Sequence, residues 1–125
     1  MIPGVDIVSV MRIEKALSRF GEQFVSRILT PEEQSLYRNR KDSIQFLAGR
    51  FAAKEAIYKA AGIPNLTWQR VNVLPEGGKP VVRIDGHLRQ NIQISISHEK
   101  EYAIALAICT ISEKPEPDKS RREIL

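Results

Sequence analysis

Cysteine is nearly absent: Cys109 is the only one in 125 residues. A lone thiol closes no internal disulfide, which excludes a disulfide-stapled scaffold and fits a reducing compartment. His98 and Cys109 have no zinc-ligand spacing. No apolar run approaches the roughly 18 residues of a membrane span. Asp6, Arg12 and Glu14 interrupt the N-terminal stretch where a secretory signal needs apolar continuity, so a cytoplasmic location is expected. Aromatics make up 6% of the chain, and no RRM or KH signature supplies base stacking or a phosphate clamp.

What is present suits one globular domain with a real core. Hydrophobic residues are 42% and charged residues 27% of the chain, an ordinary soluble mixture. The net charge of +4 favours anionic partners such as phosphates, nucleic acid or an acidic protein. Residues 112–125 balance their charges, so the excess belongs to residues 1–111. We expect that first stretch to be the folded domain. The polar tail, with Pro115 and Pro117 among its charges, is expected to be disordered.

Hydrophobic periodicity orders the domain. Residues 2–9 read as a strand. Val10, Ile13, Leu17 and Phe20 recur at helical spacing until Gly21, and a short helix follows over 22–28. Thr30-Pro31-Glu32-Glu33 is a helix start, with Thr as N-cap, Pro in the first turn and Glu closing a capping box; that helix is expected to run to about Arg40. The longest helix spans about 43–61, with Asp42 or Ser43 as cap and Gly62 and Pro64 ending it. Strands follow around the Pro75-Glu76-Gly77-Gly78 connection, then at Ile92–Ile96, and from Tyr102 to Cys109. The last alternates bulky residues with Ala103, Ala105 and Ala107, a pattern that predicts burial on both faces. Helices first and strands last predict an α+β fold, an antiparallel sheet packed on a long central helix.

The long helix is apolar or small nearly all round, which predicts burial. Within it Arg50 and Lys54 lie four residues apart among bulky apolar positions. Either their stems carry the charges out to water or an anion sits between them, phosphate being the obvious candidate, because an uncompensated buried charge costs several kcal/mol. Glu55 and Lys59, also four apart, read as a surface ion pair or as part of a site. Asp6 sits in a strand, where Asp is disfavoured; it either faces water at an edge or joins Glu55 as two carboxylates for a hard cation. Mg²⁺ is typically held by one or two carboxylates plus substrate phosphates and water. Ser95-Ile96-Ser97-His98 ends a strand with a histidine, either structural or functional, and no acidic partner is visible to complete a hydrolase triad.

At these residues the chain resembles the short, holo-acyl-carrier-protein-synthase type of 4′-phosphopantetheinyl transferase. The matching segments are Gly4-Val5-Asp6-Ile7-Val8, Arg27-Ile28-Leu29-Thr30-Pro31-Glu32-Glu33, and Arg50-Phe51-Ala52-Ala53-Lys54-Glu55-Ala56 with Lys59-Ala60-Ala61-Gly62. Gly78-Lys79-Pro80 and Ser95-Ile96-Ser97-His98 follow in family order. The resemblance covers nearly all of residues 1–110, and the segment from Arg50 to Gly62 is its most specific part.

The resemblance implies transfer of 4′-phosphopantetheine from coenzyme A to a serine of an acyl carrier protein, leaving adenosine 3′,5′-bisphosphate. It implies that Asp6 and Glu55 ligate Mg²⁺ at the pyrophosphate and that Lys59 stabilises charge there. Arg50, Gly62 and His98 are expected to contact coenzyme A, with Ser97 grouped beside His98 and Lys54 added on charge alone. A homotrimer is implied, with sites between subunits, so Asp6 and Glu55 need not meet His98 of their own chain. The carrier is expected at Arg12, Arg19 and Arg27 with apolar Phe24 and Ile28; a solvated basic face with Phe24 in the core is the alternative. Two departures are Pro3, where relatives often carry a Gly-rich lead and where a backbone donor is lost, and the neutral Gln23. A nucleotide- or RNA-binding module and an inactive carrier-binding relative are the rival readings.

Overall fold

The computed structural model describes residues 1–110; the tail at 112–125 lies outside the described residues. Strand β1 (Ile2–Ser9) leads into helices α1 (Val10–Phe20), α2 (Glu22–Ile28), α3 (Pro31–Arg38) and α4 (Ser43–Ala61). A 3₁₀ turn at Trp68–Arg70 precedes β2 (Val71–Glu76), β3 (Lys79–Ile84), β4 (His87–Leu88), β5 (Ile92–His98) and β6 (Tyr102–Cys109). The 3₁₀ turn and β4 are too short to leave a periodic signal. No helix among the described residues is long and apolar enough to cross a membrane.

The strands form two antiparallel three-stranded sheets, β1-β6-β5 and β2-β3-β4, where the sequence suggested one. The first strand of the chain pairs with the last, from Ile2 opposite Cys109 to Ser9 opposite Tyr102. Pro3 falls opposite Ile108 without breaking that register, consistent with β1 being an edge strand.

Local chemistry accounts for the helix ends. Ser9 Oγ accepts the Arg12 N–H at 3.4 Å to start α1. In α3 the capping box is complete: Thr30 Oγ1 accepts the Glu33 N–H and Glu33 Oε1 accepts the Thr30 N–H. Asp42 occupies the N-cap of α4 but makes no side-chain cap, because its carboxylate takes the Arg40 guanidinium at 2.8 and 3.1 Å instead. Gly62 ends α4 at φ 63°, the left-handed setting that glycine adopts without strain.

Small residues let α4 lie close on the first sheet. Ala52, Ala53, Ala56 and Ala60 meet a core that includes Ala105 and Ala107 of β6. At β1 the approach is backbone to backbone: a Cβ on Gly4 would fall 2.3 Å from the Ala56 carbonyl oxygen and 2.9 Å from the Ala60 nitrogen. Gly4→Ala is therefore expected to cost about 1–3 kcal/mol by overpacking, read as a lower urea midpoint; an unchanged midpoint would show that β1 yields without strain. A second cluster packs Val10, Ile13, Val25, Ile28 and Leu29 around Phe46, Leu47 and Ala48.

Within a single chain β6 is buried on one face, not on both as its pattern predicts. Ala103, Ala105 and Ala107 are buried, but Tyr102, Ile104 and Leu106 are 41–48% exposed. Val5 and Ile7 of β1 lie beside them, opposite Leu106 and Ile104, and are also exposed. The single chain thus leaves an apolar sheet face open on the side away from α4. Phe20, counted at helical spacing with the core of α1, is likewise exposed.

Candidate active site

Two groups of functional side chains emerge, set by opposite edges of the β1-β6-β5 sheet. At the β1 edge, Asp6 shares its face of the strand with Gly4, the residue in contact with α4. That places its carboxylate beside the helix surface carrying Glu55 and Lys59. Lys59 Nζ donates to Asp6 Oδ1 at 3.2 Å and to the Val5 carbonyl at 2.9 Å. Burial raises the Glu55 pKa above the ordinary glutamate value; the Asp6 charge raises it further, and Lys59 opposes. Asp6 and Glu55 are thus near enough to repel, and the i,i+4 pair suggested by Glu55 and Lys59 is a three-membered cluster.

No group of three or more His, Cys, Asp or Glu side chains gathers for a metal among the described residues. Two hard carboxylates in mutual repulsion are nevertheless a fitting donor set for Mg²⁺, which leaves its other positions to phosphates and water. The side chain of Asp6 retains some exposure and that of Lys59 is half exposed, so a substrate can reach the cluster. A cavity of about 150 Å³ adjoins Glu55, lined in part by Tyr58, Thr67 and Trp68.

At the other edge, a cavity of about 910 Å³ opens between α4, β3 and β5, with Arg40, Arg50, Lys79, Arg89 and His98 in its lining. Arg50 Nε donates to the Val73 carbonyl at 3.0 Å. Its guanidinium lies 4.4 Å above the Phe46 ring, and that of Arg40 lies 5.0 Å from the same ring. Burial pulls the Arg50 pKa below the usual arginine value, against the pull of Glu33. Glu76, the acidic residue of this lining, is paired with Arg83. With Arg40 paired to Asp42, the lining leaves Arg50, Lys79 and Arg89 beside a histidine, a set of cations that suits an anionic group such as a polyphosphate.

His98 lines this cavity, its Nε2 3.9 Å from Asp42 Oδ2. Asp6, Glu55 and Lys59 do not line it, and Glu55 borders the smaller cavity instead. Within one chain Glu55 and the Arg50–His98 pair thus line different cavities.

Lys54 and Ile28 are placed differently from what was expected of them. Lys54, expected at a phosphate, is 3% exposed and its ammonium sits 2.6 Å from Glu33 Oε1. Its counter-anion is internal, supplied from α3 by a residue too far along the chain for spacing to reveal. Ser97 lies opposite Ile104 on the open sheet face, while His98 lies opposite Ala103 on the face toward α4; strand alternation separates the two neighbours. Ile28, expected to meet a carrier, is 2% exposed and belongs to the core, and Phe24 packs partly against that core. Arg12, Arg19 and Arg27 are exposed, with Met11 and Phe20 as the exposed apolar residues of α1. Gly62 sits at the C-terminal end of α4, three residues beyond Lys59.

The sequence reading missed Arg40 and Arg89 as cavity residues. No local pattern marks them, since they come from a helix–helix connection and from the link between β4 and β5.

Residues 3–107 match the model of the 4′-phosphopantetheinyl transferase superfamily. A holo-[acyl-carrier-protein] synthase of Chlorobaculum tepidum is 44% identical over 110 residues, covering 84% of this chain and 94% of the relative. The crystal structure of the Neisseria meningitidis holo-[acyl-carrier-protein] synthase superposes with TM-score 0.79 at 31% identity, covering 89% of this chain and all of that one. A Helicobacter pylori holo-[acyl-carrier-protein] synthase, solved in complex with coenzyme A, gives TM-score 0.75 at 32% identity over 87% of this chain and all of that one. The helix bearing Glu55 and Lys59, the strand bearing Asp6 and the basic cavity behind them all lie within the matched span, and the chain belongs to the 4′-phosphopantetheinyl transferase superfamily.

Proposed function

We propose that this chain is a holo-acyl-carrier-protein synthase, moving 4′-phosphopantetheine from coenzyme A to a serine of an apo acyl carrier protein. The observation that carries the reading is the convergence of Asp6, Glu55 and Lys59 where β1 crosses α4. The reaction forms a bond from the serine oxygen to the β-phosphorus of coenzyme A. It breaks the bond from that phosphorus to the bridging oxygen, so adenosine 3′,5′-bisphosphate leaves and the serine proton passes to a base.

Asp6 and Glu55 are the residues to hold Mg²⁺, which would neutralise the pyrophosphate and orient it for attack. Lys59, half exposed on the rim, can turn from Asp6 to a phosphate oxygen and stabilise charge on the leaving group. Arg50 and His98, with Arg40, Lys79 and Arg89, supply the basic cavity for the nucleotide phosphates. The exposed basic residues Arg12, Arg19 and Arg27, with Met11 and Phe20, offer the surface for an acidic carrier.

The separation of the two groups in one chain supports a homotrimer in which the carboxylates of one subunit meet the Arg50–His98 cavity of the next. The open apolar face of β1 and β6 is the surface to bury in that assembly. A lone cysteine fits an enzyme working in a reducing compartment such as the cytoplasm. Intact Asp6, Glu55 and Lys59 favour an enzyme over an inactive carrier-binding relative, and the two-carboxylate cluster disfavours an RNA-binding module.

Intact-protein mass spectrometry of an apo carrier incubated with this protein, coenzyme A and Mg²⁺ tests the proposal. The expected result is a gain of one phosphopantetheine group that a chelator abolishes. No gain on any of several apo carriers would overturn it.

A further inference from the structure

Helix α4 carries an ammonium whose charge is met wholly inside the fold. Lys54 Nζ donates to Glu33 Oε1 at 2.6 Å, to the Ile28 carbonyl at 2.7 Å and to the Trp68 carbonyl at 3.1 Å. Its three protons meet three acceptors. Glu33, fully buried, accepts the Thr30 N–H on Oε1 at 2.9 Å and the Val73 N–H on Oε2 at 2.7 Å. The Val73 carbonyl in turn accepts Arg50 Nε at 3.0 Å.

Val73 belongs to β2, an edge strand of its sheet. An edge exposes unpaired N–H and C=O groups, and the N–H and C=O of one residue point to the same side of a strand. Here the two free groups of Val73 are taken by a carboxylate and a guanidinium. An unbroken polar series therefore runs from Lys54 through Glu33 and the Val73 edge to Arg50. Its last member leans on the Phe46 ring in the basic cavity.

A buried ion pair is seldom more stable than a well-packed apolar pair of the same volume, so stability alone does not explain this one. We infer that Glu33 and Lys54 are positioning residues: they fix the edge of β2 at Val73, and through it the Arg50 guanidinium, in the setting the cavity needs to bind coenzyme A. The inference rests on the reading of that cavity given above. It assigns Lys54 a role in coenzyme A binding without contact to the ligand.

The test is a coupling measurement on the full chain. Glu33→Gln with Lys54→Met removes both charges at nearly constant volume, which avoids leaving one buried charge unpaired. Coenzyme A affinity by calorimetry and steady-state kinetics are read in the wild-type and Arg50→Ala backgrounds. In the wild-type background the double variant is expected to weaken coenzyme A binding about tenfold, the scale of one charge-assisted contact, raising KM while kcat stays within about threefold. In the Arg50→Ala background the same double variant is expected to add less than about twofold, because the residue it positions is gone. Equal losses in both backgrounds would mark the pair as merely structural and overturn the inference.

A ligand-free readout keeps the question open to refutation on its own. The Arg50 Nε–H proton, bonded to Val73, is expected to exchange slowly in the wild type and faster in the double variant and in Glu33→Gln alone. Unchanged exchange overturns the positioning role. Coenzyme A binding that is indifferent to Arg50→Ala overturns instead the reading of the cavity on which the inference rests.

Discussion

Glu55→Gln and Asp6→Asn are each expected to lower the rate of phosphopantetheine transfer by roughly 100-fold or more, the scale of losing a metal ligand, with the chain still folded. Both replacements keep the side-chain size and remove one of two anionic donors. The two variants should differ in stability. Burial and the Asp6 charge give Glu55 a raised proton affinity in the folded chain. The stability linked to such a group is complete below its unfolded pKa and is lost as pH rises through its folded pKa. At pH 7 the ionised carboxylate therefore weighs against folding, and Glu55→Gln removes that burden. Its thermal midpoint in chelator should exceed that of the wild type. Asp6→Asn relieves the same repulsion but gives up the half-exposed pair with Lys59, so a smaller gain is expected. Steady-state rates at saturating coenzyme A and Mg²⁺, with calorimetric scans in chelator, check both effects. Near-normal rates in either variant would remove that residue from the site.

Leu106→Glu is expected to break the proposed trimer and abolish transfer together. Leu106 lies in the middle of the open sheet face, paired with Val5 on β1 and Ser95 on β5. Each Leu or Ile side chain buried there stabilises by about 1.5–3 kcal/mol, and a carboxylate placed among them costs several kcal/mol if unpaired. Sedimentation should show three chains in the wild type and one in the variant. Activity should fall with the mass if the proposed site joins Asp6 and Glu55 of one subunit to the Arg50–His98 cavity of the next, since within one chain Asp6 and Glu55 do not line that cavity. Mixed chains make the point without breaking the assembly. At coenzyme A concentrations too low to support the Arg50→Ala chain, Glu55→Gln and Arg50→Ala chains co-refolded together should recover about a quarter of wild-type activity if each site draws on two subunits assorted at random. A fully active single-chain Leu106→Glu variant, or no recovery on mixing, would place the whole site in one subunit.

The elements follow from short-range patterns because their causes are short-range. The capping box at Thr30 and Glu33, the stop at Gly21 and the left-handed Gly62 each act within a turn, and all appear where the spacing put them. Asp6 was legible as an anomaly, since a strand seldom carries an aspartate without reason, and Glu55 and Lys59 were legible as polar positions on a helix otherwise apolar or small.

What the sequence could not show depends on partners distant in the chain. Arg50 and Lys54 posed the same problem, two cations in an apolar arc, and tertiary structure resolved them differently. Arg50 faces a basic cavity, whereas Lys54 is neutralised by Glu33, already engaged by its helix cap. Alternation separated Ser97 from His98 on opposite faces, but only packing decides which face meets α4 and which is open. The same holds for β6, whose small residues face the helix while Ile104 and Leu106 stay exposed. Local sequence determined the helices, the strands and the chemistry they carry. The tertiary fold decided which charges are paired inside and which remain for a substrate, because a charge can be buried only where the whole chain brings it an opposite one.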